Sequence, residues 1–123
     1  MSTQNTQTPD PLAVMRQLGR LSHELDLGNA KLAELDELRI EAEGDYRFAY
    51  SKAYEKATGN MESRKQQAVQ ECDGMWRTWQ RAESAVKLQQ RNLKALYARI
   101  DVGRSIFSVQ KAELTLANSG MTT

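Results

Sequence analysis

Thr58-Gly59-Asn60 separates two long stretches of helical pattern, and this tripeptide decides the fold. Glycine readily adopts the left-handed conformation that ends a helix, and an asparagine side chain accepts a hydrogen bond from the free N–H groups of the next helix. The chain can therefore reverse at this point. We expect the segments on either side to be the two arms of a helical hairpin.

The segment before the break carries apolar residues at three- and four-residue spacing, which is the pattern of one face of an α-helix. Asp10-Pro11 is a typical helix start, because the carboxylate caps free N–H groups and proline is tolerated in the first turn. We predict a helix over about 11–58, with Gly28 and Arg39 interrupting the apolar stripe and Gly28 as a candidate bend. The stripe consists of Leu18, Leu21, Leu25, Leu32, Leu35, Ala42, Tyr46, Ala49 and Ala53.

The segment after the break carries a second stripe at the same spacing, which predicts an amphipathic helix over about 61–101. Gly74 is a candidate interruption near its start, and Asp101-Val102-Gly103 is expected to end it before a shorter helix over about 104–117. Residues 1–10 and 118–123 are expected to be flexible tails. The second stripe consists of Cys72, Met75, Trp79, Ala82, Val86, Leu93, Leu96 and Ile100.

The predicted fold class is therefore all-α, a long helical hairpin with a shorter C-terminal helix in one domain over 11–117. Two helices that bury one stripe each form a thin core for a chain of this size. We expect copies of the chain to cover the remaining apolar surface by assembling as a homo-oligomer through coiled-coil-like contacts.

Few side chains in this sequence are suited to catalysis. His23 is the only histidine and Cys72 the only cysteine, and no glycine-rich loop with a G-K-[ST] triplet occurs. The acidic residues Glu34, Asp36, Glu37, Glu41, Glu43 and Asp45 fan around several faces of the predicted helix, as a solvated surface does. We expect a protein that is not an enzyme, without catalytic residues, metal or cofactor.

No stretch approaches the roughly 20 consecutive apolar residues that span a bilayer, and the N-terminus lacks the apolar segment of a signal peptide. The expected location is therefore the cytoplasm, without a membrane partner.

The charges are unevenly placed, although the net charge is only +1. Residues 1–58 contain seven Lys or Arg against ten Asp or Glu, whereas residues 74–123 contain eight against three. With successive helical residues about 100° apart, six cations of the second arm share the side opposite its apolar stripe, and Trp76 lies at their edge. These cations are Arg77, Arg81, Lys87, Arg91, Lys94 and Arg99.

This basic face has three interpretations. Cations beside an exposed indole suit single-stranded nucleic acid, because phosphates are neutralised while bases stack on the ring. Basic residues opposite an apolar stripe are also the ordinary solvent face of a helix, where acids of the first arm, such as Glu34 or Glu41, can pair with them. An acidic protein partner is a third reading.

Two segments resemble the phage recombination mediators of the UvsY type. Residues 42–54 read AEGDYRFAYSKAY, with a Tyr-Ser-Lys triplet between aromatic residues, and residues 93–100 read LKALYARI before Gly103-Arg104-Ser105-Ile106. The resemblance implies a helical, ring-forming protein that binds single-stranded DNA, helps displace single-strand-binding protein and loads a recombinase. In that family's DNA-binding region, basic positions are matched by Lys52 and by Arg64-Lys65.

The sequence therefore favours a non-enzymatic oligomeric accessory protein that binds single-stranded DNA, in the host cell cytoplasm if a phage encodes it. Its expected partners are copies of itself, single-stranded DNA and a recombinase or single-strand-binding protein. The alternative is a phage structural, adaptor or host-factor-inhibiting protein that binds a protein partner through its long helices. The expected DNA-binding residues are Arg77, Arg81, Lys87, Arg91, Lys94, Arg99, Trp76, Lys52, Arg64 and Lys65.

Overall fold

The computed structural model describes residues 10–121, and these residues form three α-helices and no strand. The helices are α1 (Pro11–Lys56), α2 (Met61–Glu71) and α3 (Asp73–Met121). The all-α prediction is confirmed. The flexible tail predicted over residues 1–10 lies outside the described residues except for Asp10.

The start of α1 is capped as the sequence predicts. The backbone N–H of Leu12 donates to Asp10 Oδ1 at 3.3 Å, and that of Val14 donates to the Asp10 carbonyl at 3.0 Å. The helix then continues through both Gly28 and Arg39. An interior glycine costs a helix about 1 kcal/mol relative to alanine, but it keeps its N–H donor, so the helical hydrogen bonds continue past it.

The break between α1 and α2 has the predicted geometry. Gly59 has φ of 105°, and the side chain of Asn60 caps α2 by accepting a hydrogen bond from the Ser63 N–H at 2.8 Å. Gln67 Nε2 also donates to the Thr58 carbonyl at 2.8 Å, so α2 supplies one of the loop's hydrogen bonds. The helix end, left-handed glycine and capping asparagine are confirmed.

The predicted single helix over 61–101 is wrong, because α2 ends at Glu71 and α3 begins at Asp73. Cys72 lies between them with φ of −100° and ψ of 12°. Its N–H still donates to the Ala68 carbonyl, and its carbonyl accepts from the Trp76 N–H, each at 3.0 Å. The interruption therefore loses little hydrogen bonding, and the acidic Asp73 that follows it favours a new helix N-terminus.

The predicted helix end at residues 101–103 and separate helix over 104–117 are also wrong, because α3 runs on to Met121. The predicted flexible tail over 118–123 is therefore helical as far as Met121, and its last two residues lie outside the described part. Gly103 does not end the helix but allows close packing, because a Cβ added to it would lie 2.7 Å from Leu18 Cδ2. The missing side chain lets α3 approach α1 closely.

The chain divides into two compact units. Within the described residues, the first unit consists of residues 10–28 and 92–121, so it pairs the start of α1 with the later part of α3. Its buried apolar residues are Val14, Leu21, Leu93 and Ile100.

The second unit is Asn29–Arg91, and it contains the rest of α1, all of α2 and the start of α3. Its core consists of Ala53 of α1, Ala68 of α2 and Cys72, which lies between α2 and α3. Three tyrosines of α1 and Ala49 pack around this core: Tyr46, Tyr50 and Tyr54. An ion pair between Lys56 Nζ and Glu71 Oε1, 3.0 Å apart, joins the ends of α1 and α2.

Both predicted apolar stripes lie on the packed faces of their helices. Every residue of the first stripe is buried or half-buried, and so is every residue of the second except Met75. Within residues 10–121, no helix has both the length and the apolar character needed to cross a lipid bilayer.

Candidate nucleic-acid interface

The basic face of α3 in the second unit is open to solvent. Arg77, Arg81 and Arg91 are exposed on the side of the helix opposite the buried Val86, and Lys87 is exposed beside them, about 100° around the helix from Val86. We call these four residues the basic row. The structure thus places four of the six cations predicted on this arm together on one solvent-facing surface.

The acids of α1 do not neutralise the basic row. Glu34, Asp36 and Glu43 pair instead with cations three or four residues away on their own helix. Arg39 Nε lies 2.9 Å from Asp36 Oδ1, and Arg47 Nη2 lies 2.8 Å from Glu43 Oε2. The hydrogen bond that Arg39 donates to Asp36 is the main reason that the pKa of Arg39 is raised above its ordinary value.

Within the basic row, the cations differ in their partners. Arg77 Nε lies 2.8 Å from Asp73 Oδ2, one turn earlier on α3. Across residues 10–121, Arg81, Lys87 and Arg91 form no ion pair. These three side chains are therefore the cations most available to a phosphate group.

The two tryptophans of α3 have different environments. Trp79 is half-buried, and its ring stacks on Tyr46 with centroids 5.5 Å apart. Trp76 is 44% exposed, and none of the ring contacts found within residues 10–121 involves it. An exposed indole one residue from Arg77 provides a flat apolar surface on which a nucleobase can stack.

Lys94 and Arg99, the other two cations predicted for this face, are exposed on the part of α3 that belongs to the first unit. Arg99 borders an apolar groove between α3 and the start of α1. The sequence did not predict this groove. An apolar stripe indicates which face of a helix packs, but it does not show how much of that face a neighbouring helix covers.

The three residues matched through the family resemblance have different surroundings. Lys52 is exposed, with its Nζ 5.5 Å from the centre of the Phe48 ring, and Lys65 is exposed on α2. Arg64 is half-buried: its Nε donates to the Ala57 carbonyl at 3.1 Å, and its guanidinium lies 5.7 Å from the Tyr54 ring centre. Arg64 therefore stabilises the loop between α1 and α2.

The two residues considered for chemistry belong to different units. His23 is exposed on α1, and Cys72 is buried in the core of the second unit. Burial raises the pKa of the Cys72 thiol, as does the charge of Glu71, so the reactive thiolate is disfavoured. In the part of the chain that the structure describes, no group of three or more His, Cys, Asp or Glu side chains could hold a metal ion.

No protein-family model, no curated protein and no solved structure matches this chain.

Proposed function

We propose that this chain is a non-enzymatic accessory protein that binds single-stranded DNA through the basic row of α3, with Trp76 as a stacking surface. The observation that carries the proposal is that Arg81, Lys87 and Arg91 are exposed and form no ion pair within residues 10–121. The competing interpretation needed acids of α1 to pair with these cations. No such ion pair forms within residues 10–121, and Glu34, Asp36 and Glu43 pair within α1 instead.

The dimensions of the basic row suit a nucleic-acid strand. Fourteen helical steps separate Arg77 from Arg91, which is a length of about 21 Å at a rise of ~1.5 Å per residue. A stacked strand with one phosphate every ~3.4 Å places about six phosphates along that length. Four cations can therefore contact successive parts of one strand, and no base-specific hydrogen bond is required.

The resemblance to recombination mediators extends this proposal to a biological role. A protein that holds single-stranded DNA on one helix face and assembles with copies of itself can help to load a recombinase and displace single-strand-binding protein. The basic row supports the first part of this role. The recombinase and the single-strand-binding protein rest on the sequence resemblance.

The test is fluorescence anisotropy with a labelled oligothymidine at several salt concentrations. Replacing Arg77, Arg81 and Arg91 together by glutamate should abolish binding while circular dichroism shows unchanged helicity, because all three side chains are exposed. A control with Arg16, Arg20 and Lys111 replaced by glutamate changes the net charge equally on other exposed surfaces. It should weaken binding far less.

Two results would refute the proposal. One is the absence of any binding by the unmodified chain at low salt, where phosphate contacts are strongest. The other is an equal loss of affinity in both triple variants, since that would show a response to net charge alone.

A second candidate function, binding of a protein partner, is favoured by apolar side chains exposed on the second unit. Leu38 and Met75 line an open groove of ≈ 410 Å³ between α1 and α3, and Phe48 is exposed on α1. Exposed apolar patches of this kind commonly mark protein-binding surfaces. Pull-downs from a host lysate with and without nuclease separate the two functions. Nuclease releases proteins that are held through nucleic acid, whereas a directly bound protein partner stays in the complex.

A further inference from the structure

The later part of α3 carries a seven-residue repeat on its exposed face. The first position of the repeat is apolar throughout, and the fourth position is always alanine or serine. The first positions are Ala95, Val102, Val109 and Leu116, and the fourth positions are Ala98, Ser105, Ala112 and Ser119. All eight residues are exposed, and we call them the α3 seam.

The exposure of the large side chains in this seam is high. Val102 is 60% exposed, Val109 57% and Leu116 72%. The seam is distinct from the face that packs on α1, which contains the buried Leu93 and Ile100. When the first and fourth positions of each heptad carry apolar or small residues over more than three heptads, the pattern is that of two helices packed side by side.

The seam adjoins an apolar groove within the first unit. Ala98 and Val102 of the seam line one wall of this groove of ≈ 490 Å³, and Ala13 and Val14 of α1 lie on the other side. The apolar surface of the first unit therefore extends from the seam towards α1.

We propose that the α3 seam binds the same seam of a second copy of this chain, with the two helices antiparallel. Alanine or serine at the fourth position of each seven-residue repeat allows the two backbones to approach closely. Valine and leucine at the first positions fill the space between them. In an antiparallel pair, first positions of one helix face fourth positions of the other. Val102 then faces Ala112, and Val109 faces Ser105, around a twofold axis near residue 107.

The charges beside the seam select the antiparallel orientation. Arg99 and Glu113 each occupy the fifth position of the repeat. In the antiparallel arrangement, Arg99 of one copy lies beside Glu113 of the other, and the twofold axis repeats this contact. In a parallel, in-register pair, Lys94 would instead lie beside Arg99 of the other copy, and the like charges would repel.

This interface is isologous, so it closes as a dimer rather than extending into a filament. It does not depend on nucleic-acid binding, because the basic row lies in the second unit. Replacing Arg81 and Arg91 by glutamate should therefore abolish DNA binding and leave the dimer mass unchanged, so failure of one proposal does not imply failure of the other.

The mass of the purified chain in solution tests the interface. Sedimentation equilibrium at micromolar concentration should give a dimer for the unmodified chain and a monomer for Val109→Glu. The matched control is Leu114→Glu, since Leu114 is 62% exposed on the same helix but lies away from the seam. It should remain a dimer. A monomeric unmodified chain, or the same mass in both variants, would overturn the proposal.

Cross-linking tests the orientation. Ala98 of one copy faces Leu116 of the other in the antiparallel pair, so Ala98→Cys and Leu116→Cys should form a disulfide when the two variants are mixed and not when either is alone. The native Cys72 is buried and does not compete. Disulfide formation by each variant alone would instead show a parallel pair.

Charge exchange provides a second test of orientation. Arg99→Glu should weaken dimerisation by about tenfold, as expected for two contacts each worth a fraction of a kcal/mol to about one. Combining it with Glu113→Arg should restore the affinity. Equal weakening in the single and double variants would contradict the antiparallel pairing.

Discussion

The rings of Tyr46 and Trp79 stack with their centroids 5.5 Å apart and their planes inclined by 29°, and this contact joins α1 to α3 in the second unit. The guanidinium of Arg47 lies 5.6 Å from the centre of the Trp79 ring, and Tyr50 lies 6.0 Å from Tyr46. Stacked aromatic pairs contribute about 0.5–1.5 kcal/mol beyond the area that they bury. The unit is therefore held by aromatic contacts around a small core.

Trp79→Ala should destabilise the chain substantially, whereas Trp76→Ala should not. Trp79 is half-buried, so we expect a loss of roughly 2–3 kcal/mol in the free energy of unfolding, less than the ~3–5 kcal/mol of a fully buried tryptophan. Trp76 is exposed, and its removal should change stability by about 0.5 kcal/mol or less while weakening DNA binding. Urea denaturation and anisotropy measure the two effects. Equal destabilisation by both variants would contradict the different environments of the two rings.

Alanine should have opposite effects at two glycines. Gly44 lies in the interior of α1, and no atom would lie within 4 Å of an added Cβ, so Gly44→Ala should stabilise the chain by about 0.5–1 kcal/mol. Gly59 has φ of +105°, and an added Cβ would lie 3.1 Å from Ser63 Oγ, so Gly59→Ala should destabilise it by roughly 1–2 kcal/mol. Thermal and urea unfolding compare the pair, and a gain in stability at Gly59 would show that the loop geometry is wrong.

Gly103→Ile should loosen the first unit, because a side chain at this position would collide with Leu18. The cost of such overpacking is typically about 1–3 kcal/mol. Leu18→Ala in the same chain removes the obstructing atoms, so the double variant should be less destabilised than the sum of the two single changes. Strict additivity in a double-mutant cycle would mean that the two residues do not touch.

Stability should fall in alkaline solution. Burial is the main reason that the pKa values of Cys72 and Tyr46 are raised above their ordinary 9.0 and 10.0. The folded chain therefore holds these protons more tightly than the unfolded chain does, and this contribution is fully present below the unfolded pKa values. It should be lost as the pH rises from about 9 through the folded pKa values.

Urea midpoints between about pH 7 and pH 11 measure this loss. Cys72→Ala should remove the part of the decline that begins near the ordinary thiol pKa of 9.0, and leave the part that Tyr46 causes. A midpoint that stays constant or rises over this range would contradict the raised pKa values.

The sequence patterns predicted the faces that pack and the break before α2, because apolar spacing and capping residues act locally. They failed at Cys72, because the second apolar stripe begins at this residue and continues from it at ordinary helical spacing. They also failed at Gly103, where the missing side chain permits close packing against Leu18, a residue that is remote in sequence. Such a contact depends on the tertiary arrangement, and no local pattern reports it.

The candidate site was predictable to a similar extent. Helical spacing placed the basic row opposite the core side of α3, and the structure has these residues exposed. The ion pairs within α1 could have been foreseen, since Asp36, Arg39, Glu43 and Arg47 follow each other at three or four residues. The use of Arg64 in the loop could not, because its partners Ala57 and Tyr54 are brought to it by the chain reversal.

The salt dependence of single-strand binding tests the proposed role of the basic row most directly. Each phosphate contact by a cation contributes about −0.7 to the slope of log Kobs against log salt concentration for a single strand. Arg81→Gln should therefore make that slope shallower by about 0.7, while Arg20→Gln, on the exposed surface of α1, should leave it unchanged. Identical slopes for the unmodified chain and Arg81→Gln would show that the basic row does not contact the phosphates.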